Sequence, residues 1–241
     1  MIRIRTLAAA AVLVLGQALS AAAQARDTTA TFDVYFAGIK AGVAAFKGIT
    51  TDSAYSVAGQ LKSTGLISAV VDLRYDVKAQ GALRNGTFIP TSYSENNNDG
   101  REVSRATMSF QNGVPRVMQT TPPATRGPNA LDPATQGGTL DPATALFATL
   151  RDRPKTELCN RSVDIFDGSR RARIAIGPLR EESGAVTCSA SYQRIAGYEP
   201  WEMQERRVFP FELNFRPAGE VWQVSEVRIA TVYGTAKLIR R

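Results

Sequence analysis

Cys159 and Cys188 are the only cysteines of this chain, and it contains no histidine. The missing imidazole removes the commonest general base and metal ligand, and with it every Ser-His and Cys-His nucleophile pair. In an exported chain a lone cysteine pair reads as a disulfide before it reads as a metal or redox site. Closing a loop of about 30 residues would contribute roughly 3–4 kcal/mol by restricting the unfolded chain. The acids Asp164, Asp167, Glu181 and Glu182 could in principle supply the two carboxyl groups of glycan hydrolysis, yet their spacing supports no pairing. "FDGSRRAR" (166–173) gathers Arg170, Arg171 and Arg173. These could grip phosphate or carboxylate through forked hydrogen bonds, or form a solvated turn. No cofactor motif and no metal motif is present, so the expectation is a non-enzymatic protein.

Two apolar groups could bind rather than react. In "STGLISAVVD" (63–72), Leu66, Ile67 and Val70 follow Gly65. Exposed, they would line a ligand mouth or touch a membrane surface; otherwise they cap the core. Tyr75, Tyr192, Phe209, Phe211, Phe215 and Trp222 could line an apolar pocket or simply pack together. Leu146, Phe147 and Leu150 of the helix described next decide between these, because tight packing there leaves no cavity.

The elements that must position these residues are mostly strands. In "VVDLRYDVK" (70–78), Val71, Leu73, Tyr75 and Val77 alternate with Asp72, Arg74, Asp76 and Lys78, the period of a half-buried strand. "VFPFELNF" (208–215) and "AVTCSASY" (185–192) alternate likewise and turn Cys188 inward. Asn85-Gly86, Asp99-Gly100, Asn112-Gly113 and Asp167-Gly168 separate such runs, as tight hairpins require; Gly38 and Gly42 suggest one more turn. Pro210 predicts an edge strand or a bulge. A phase change at Ser225-Glu226 predicts a bulge.

One convincing helix interrupts the strands. The motif LDPAT occurs at 131–135 and again at 140–144. Gly137 and Gly138 stop the first copy within a turn. In the second, Asp141 suits the N-cap and Pro142 the first helical position. Ala143, Leu146, Phe147 and Leu150 then follow at i, i+3, i+4 and i+7, Arg151 and Arg153 suit the negative end, and Pro154 ends it. Residues 119–138, rich in Pro, Thr and Gly, read as an irregular excursion. Cys159 bonded to Cys188 would tie the helix exit to the sheet.

Arg3 and Arg5, the apolar run Leu7–Leu19 and Ala23-Gln24-Ala25 have the layout of a cleavable export signal. Residues 1–25 are therefore expected to be removed, leaving 26–241 as one mainly-β domain in the periplasm that does not span the membrane. The net charge of +7 falls to +5 without Arg3 and Arg5. Outside the cytoplasm such a charge either only aids solubility or meets anionic lipid, lipopolysaccharide or cell wall rather than nucleic acid.

Several segments in order resemble the bacterial exported family known as domain of unknown function 3108: "YFAGIKAG" (35–42), "STGLISAVVDLRYDVKAQG" (63–81), "GTLDPATALFATL" (138–150), "FDGSRR" (166–171) and "CSASYQRIAGY" (188–198). The resemblance implies a strongly curved antiparallel sheet, a half-barrel or open barrel, with one amphipathic helix on its concave face. That outline is similar to lipoprotein carriers, and it brings no catalytic residue. Two functions follow as expectations. One is a binding protein for an apolar or amphiphilic envelope component such as lipid, with basic residues meeting an anionic head. The other is an envelope assembly protein with a solid core that acts through protein or cell-wall contacts. A cavity beneath the helix favours the first, and a filled core the second.

Overall fold

Period-two alternation and Asn-Gly turns build the predicted meander, seen in a computed structural model that describes residues 25–65, 67–123, 125–182, 184–231 and 234–241. Apart from Ala25, the expected export signal lies outside the described residues. Thirteen antiparallel strands form one sheet. The first meander comprises β1 (Arg26–Phe36), β2 (Ile39–Thr50), β3 (Ala54–Ser63), β4 (Arg74–Arg84), β5 (Thr87–Asn98), β6 (Val103–Gln111) and β7 (Val114–Thr121). The second comprises β8 (Arg161–Phe166), β9 (Arg171–Glu182), β10 (Ala185–Ala196), β11 (Val208–Ala218), β12 (Val221–Thr231) and β13 (Gly234–Arg240). Pairing of β1 with β13 joins the two meanders, which leaves β7 and β8 as the edges.

The turns form where sequence chemistry places them. Asn85 and Gly86, like Asn112 and Gly113, have positive φ, as the tight hairpin requires. Gly42 marks no turn: it lies within β2, where an added Cβ would strike the Lys62 carbonyl. The bulge predicted near Ser225 is present. Asn214 pairs with Glu226 and Phe215 with Val224, so Ser225 is the extra residue. The edge expected for Pro210 is not found. Its strand lies between β10 and β12, and Pro210 is tolerated because pairing with β12 begins only at Phe211. Val71 and Leu73 precede β4 and belong to the β3–β4 loop.

The sheet curls without closing, and the chain that crosses between its edges bridges the gap. Residues 119–121 extend β7, so the irregular excursion starts later than expected. The first LDPAT copy makes a single 3₁₀ turn, Pro133–Thr135, capped by Asp132. Gly138 N–H then donates to Gly113 O (3.3 Å) at the β7 side, and Leu140 N–H to Asp164 O (2.8 Å) on β8. The open edges, otherwise templates for unwanted strand pairing, are thus partly covered.

The second copy starts α1 (Pro142–Leu150), which lies inside the curl. Ala143, Thr144, Ala145, Phe147, Ala148, Thr149 and Leu150 are all buried, so the helix is enclosed on far more than one stripe. The Phe147 ring meets Phe46 (5.8 Å between centroids) and Phe88 (5.9 Å) edge-on. It fills the space above Gly48, where an added Cβ would collide with it. Cys159 and Cys188 are joined, with Cα atoms 5.8 Å apart, and Cys188 lies in the fully buried group with Val186, Leu213 and Val224. A second helix, α2 (Pro200–Glu205), connects β10 to β11. Six residues are too few for a periodicity signal, and its start, where Glu199 N–H donates to Glu202 Oε2 (3.0 Å), lacks the Ser or Thr that would mark it in the sequence.

Candidate ligand-binding cleft

The helix plugs the curl nearer one end, and a cleft opens above its N-terminal turn. An acceptor-rich recess of about 460 Å³ includes Tyr75, Glu95, Asp167, Arg170 and Glu199 in its lining. An apolar recess of about 270 Å³ lies beside it, lined by Leu146, Ile165, Ala172, Ile174, Tyr192 and Tyr198 among others. Pro142, Asp167 and Arg170 belong to both walls, so the two recesses form one mouth with a polar and an apolar side.

β4 and β5 supply Tyr75 and Glu95 to the polar wall, and loops supply Asp167, Arg170 and Glu199. Glu95 pairs with Val77, an inward register position, and two phenols donate to its Oε2: Tyr75 at 2.5 Å, and Tyr93. Burial, and next the hydrogen bond to Glu95, pushes the Tyr75 phenol well above its ordinary range; burial and the Tyr75 and Glu95 charges do the same to Tyr93. Both stay neutral donors. Asp167 Oδ1 accepts from the Ser169 and Arg170 N–H groups (2.9 and 2.7 Å) and so shapes the β8–β9 turn. Glu199 accepts from Asn129 Nδ2 (2.9 Å).

The basic cluster expected on that turn is neutralised internally. Arg171 and Arg173 both bind Asp164, each at 2.5 Å. Arg170 lies over the Tyr198 ring and 3.6 Å from Glu202. No free cationic tip remains there to receive an anionic head: β8–β9 pairing sets Asp164 beside Arg171 and Arg173, and α2 brings Glu202 to Arg170.

Of the residues singled out from sequence, Tyr75, Leu146, Tyr192 and Arg170 share the mouth. Leu146, one of the stripe residues that decide between a cavity and a filled core, is 44% exposed. The sheet surrounds α1, and the side left open is the one facing β8–β10. Phe147 is no cavity wall but the centre of the packing, 1% exposed. Phe211 packs against the core. Trp222 lies under Lys155 and pairs with Arg153 through its backbone. Leu66 lies outside the described residues. Ile67 is half-buried and Val70 is 84% exposed, in the β3–β4 loop. Sequence reading missed Glu95, Tyr93 and Tyr198; the one available signal was the Tyr-x-Glu spacing at 93–95, which places both on the concave face.

The floor of the mouth is the N-terminus of α1. Asp141 is fully buried, and its carboxylate accepts from Thr144 N (2.8 Å) and Thr144 Oγ1 (2.6 Å). Thr144 Oγ1 in turn meets Tyr55 Oη at 2.9 Å. Desolvation outweighs these bonds and pushes Asp141 up from 3.8 to about 6. The folded chain therefore keeps a proton that the unfolded chain has released. The stability this group contributes is full below pH 4 and is lost as pH rises to about 6. Asp141→Asn keeps the cap acceptor and removes the titration. Measured by urea unfolding, its stability relative to wild type should rise by on the order of 2 kcal/mol between pH 4 and pH 7. A constant difference across that range would show that Asp141 does not titrate there.

Among the described residues no helix is long and apolar enough to cross a membrane, and no group of three or more metal-ligating side chains occurs. A family model described as "Protein of unknown function (DUF3108)" matches residues 31–190. Among solved structures, the chain is similar to a beta-barrel-like protein of domain of unknown function DUF1849 from Brucella abortus. The identity is 9% and the TM-score 0.47, over 89% of this chain and 95% of that one. No curated protein matches.

Proposed function

Since the chain belongs to the family described as "Protein of unknown function (DUF3108)", whose description names no activity, we propose its function from the mouth above α1: a non-enzymatic, exported binding protein of the bacterial envelope that seats one end of an amphiphile. The observation that carries this reading is Leu146, a helix leucine left 44% exposed within an apolar recess that adjoins a polar one. Apolar lining with a few convergent polar groups is the usual character of a small-molecule site. Glu95, Asp167 and Glu199 outnumber Arg170 around the polar side, so the preferred head carries hydroxyl or amine donors rather than an anion. The cystine agrees with an oxidising compartment.

Native mass spectrometry of protein purified without detergent, before and after solvent extraction, tests this. A stoichiometric adduct that leaves on extraction supports it, and Leu146→Glu should lower its occupancy about tenfold while the fold is retained, because the side chain is already exposed. An unloaded chain that takes up no envelope lipid defeats the reading. One feature favours the alternative, an assembly protein acting through surface contacts. The space between α1 and the sheet is filled by Phe147, and Ile195, Trp201 and Val208 are exposed on and beside the β10–β11 connection. An unloaded chain would direct crosslinking to that rim.

A further inference from the structure

At the other end of α1, Arg151, Arg153 and Arg161 line a cavity of about 290 Å³ whose wall also includes Gly86, Thr87 and Phe88. Two of the three have structural work. Arg161 donates to Ala148 O and Thr149 O (2.9 Å each) and to Leu158 O (3.2 Å). Arg153, 5% exposed, donates to Ala148 O. The bonds to Ala148 and Thr149 satisfy carbonyls that the helix leaves unpaired at its C-terminus and suit its negative end.

Arg151 does none of this. Only its backbone N–H caps the helix, at Phe147 O (2.9 Å). Its guanidinium lies over the Phe88 ring and 3.9 Å from Glu157, and its Nε is buried without a hydrogen-bond partner among the described residues. A buried, unsatisfied donor on a charged group costs stability unless something accepts from it. Glu157 is the one carboxylate that Arg151 meets; Asp164 in the same wall is already bound by Arg171 and Arg173. Three guanidiniums thus face one available carboxylate, leaving an excess of two positive charges. Burial lowers the proton affinity of all three, and neighbouring guanidiniums add to it: Arg161 and Arg151 act on Arg153, Arg151 on Arg161, and Arg26 on Arg151; an anion would relieve this.

We propose that this cavity binds a phosphate oxyanion, free or as a phosphomonoester, with the Arg151 fork as its principal contact and Arg153 and Arg161 supplying field. The dianion matches the charge excess, and forked guanidinium donors suit its geometry. The site is independent of the mouth, which opens at the opposite end of α1.

The test is titration of wild type and Arg151→Gln with inorganic phosphate, followed by ³¹P NMR and thermal unfolding, against chloride at matched ionic strength. Monomeric dihexanoyl phosphatidic acid serves as a second probe. Wild type should show saturable binding of at least one probe beyond the chloride response, weakened tenfold or more in Arg151→Gln. Arg151→Gln keeps the backbone cap and should unfold cooperatively like wild type, which separates lost binding from lost folding. Response to the lipid alone assigns a headgroup site, and response to both assigns free phosphate. A chloride-like response to both probes, or undiminished binding in the variant, overturns the proposal.

Discussion

Phe147→Ala should lower the free energy of unfolding by about 3–5 kcal/mol, a large part of the ~5–15 kcal/mol typical of a whole domain. The ring is 1% exposed and holds edge contacts to Phe46 and Phe88. Phe46 stacks further on Phe32, and Phe88 meets Tyr55. Removing the ring leaves a cavity that strands on either side cannot collapse into, because the sheet itself fixes their spacing. Gly48 supplies the control. Gly48→Ala should destabilise the wild type, since its new methyl collides with the Phe147 ring. In the Phe147→Ala background the same change should be close to neutral, so that the double-mutant cycle shows strong coupling. Urea unfolding of the four proteins measures this. Additive losses would mean that α1 does not sit over β2, and a small loss for Phe147→Ala would reopen the space beneath the helix as a ligand cavity.

Replacing Cys159 and Cys188 together by alanine should cost about 2–4 kcal/mol. The bond spans 29 residues of sequence, and it fastens the chain that leaves α1 to the buried row of β10. Without it, the segment 151–160 is held mainly by Arg153, Arg161, the buried Leu158 and the backbone pairing of Arg153 with Trp222. Reduction of the wild type should shift the urea midpoint in the same direction and by a similar amount. Unfolding free energies that agree within about 0.5 kcal/mol, oxidised and reduced, would show the bond to be dispensable to the fold. Because that segment carries Arg151 and Arg153 of the proposed oxyanion cavity, its loosening should weaken phosphate binding without weakening binding at the mouth.

Local spacing carried the element boundaries well. Asp141-Pro142 starts α1 as its cap chemistry demands, the two Asn-Gly pairs make hairpins, and the phase change at Ser225 is a bulge. These features depend on residues within a few positions of one another, so they survive being read without a fold. The candidate site was legible only in part. Tyr75 and Tyr192, on strands far apart in sequence, do face one mouth with Leu146 and Arg170. What each contributes there was hidden.

By itself, the sequence determined that this is a histidine-free, mainly antiparallel chain with one capped helix and one cystine. Each of those properties follows from composition, from period-two or helical spacing, or from an inventory that admits a single pairing. The tertiary structure alone decided how far the sheet curls, and with it the shape of the proposed mouth. The curl encloses α1 on so many sides that the inward stripe loses Leu146 to the mouth. The β8–β9 register sets Asp164 beside Arg171 and Arg173, which silences the basic turn, and the path of the chain after α1 gathers Arg151, Arg153 and Arg161 at the helix end. Curvature is the sum of small twists and bulges along thirteen strands, and no window of the sequence contains it.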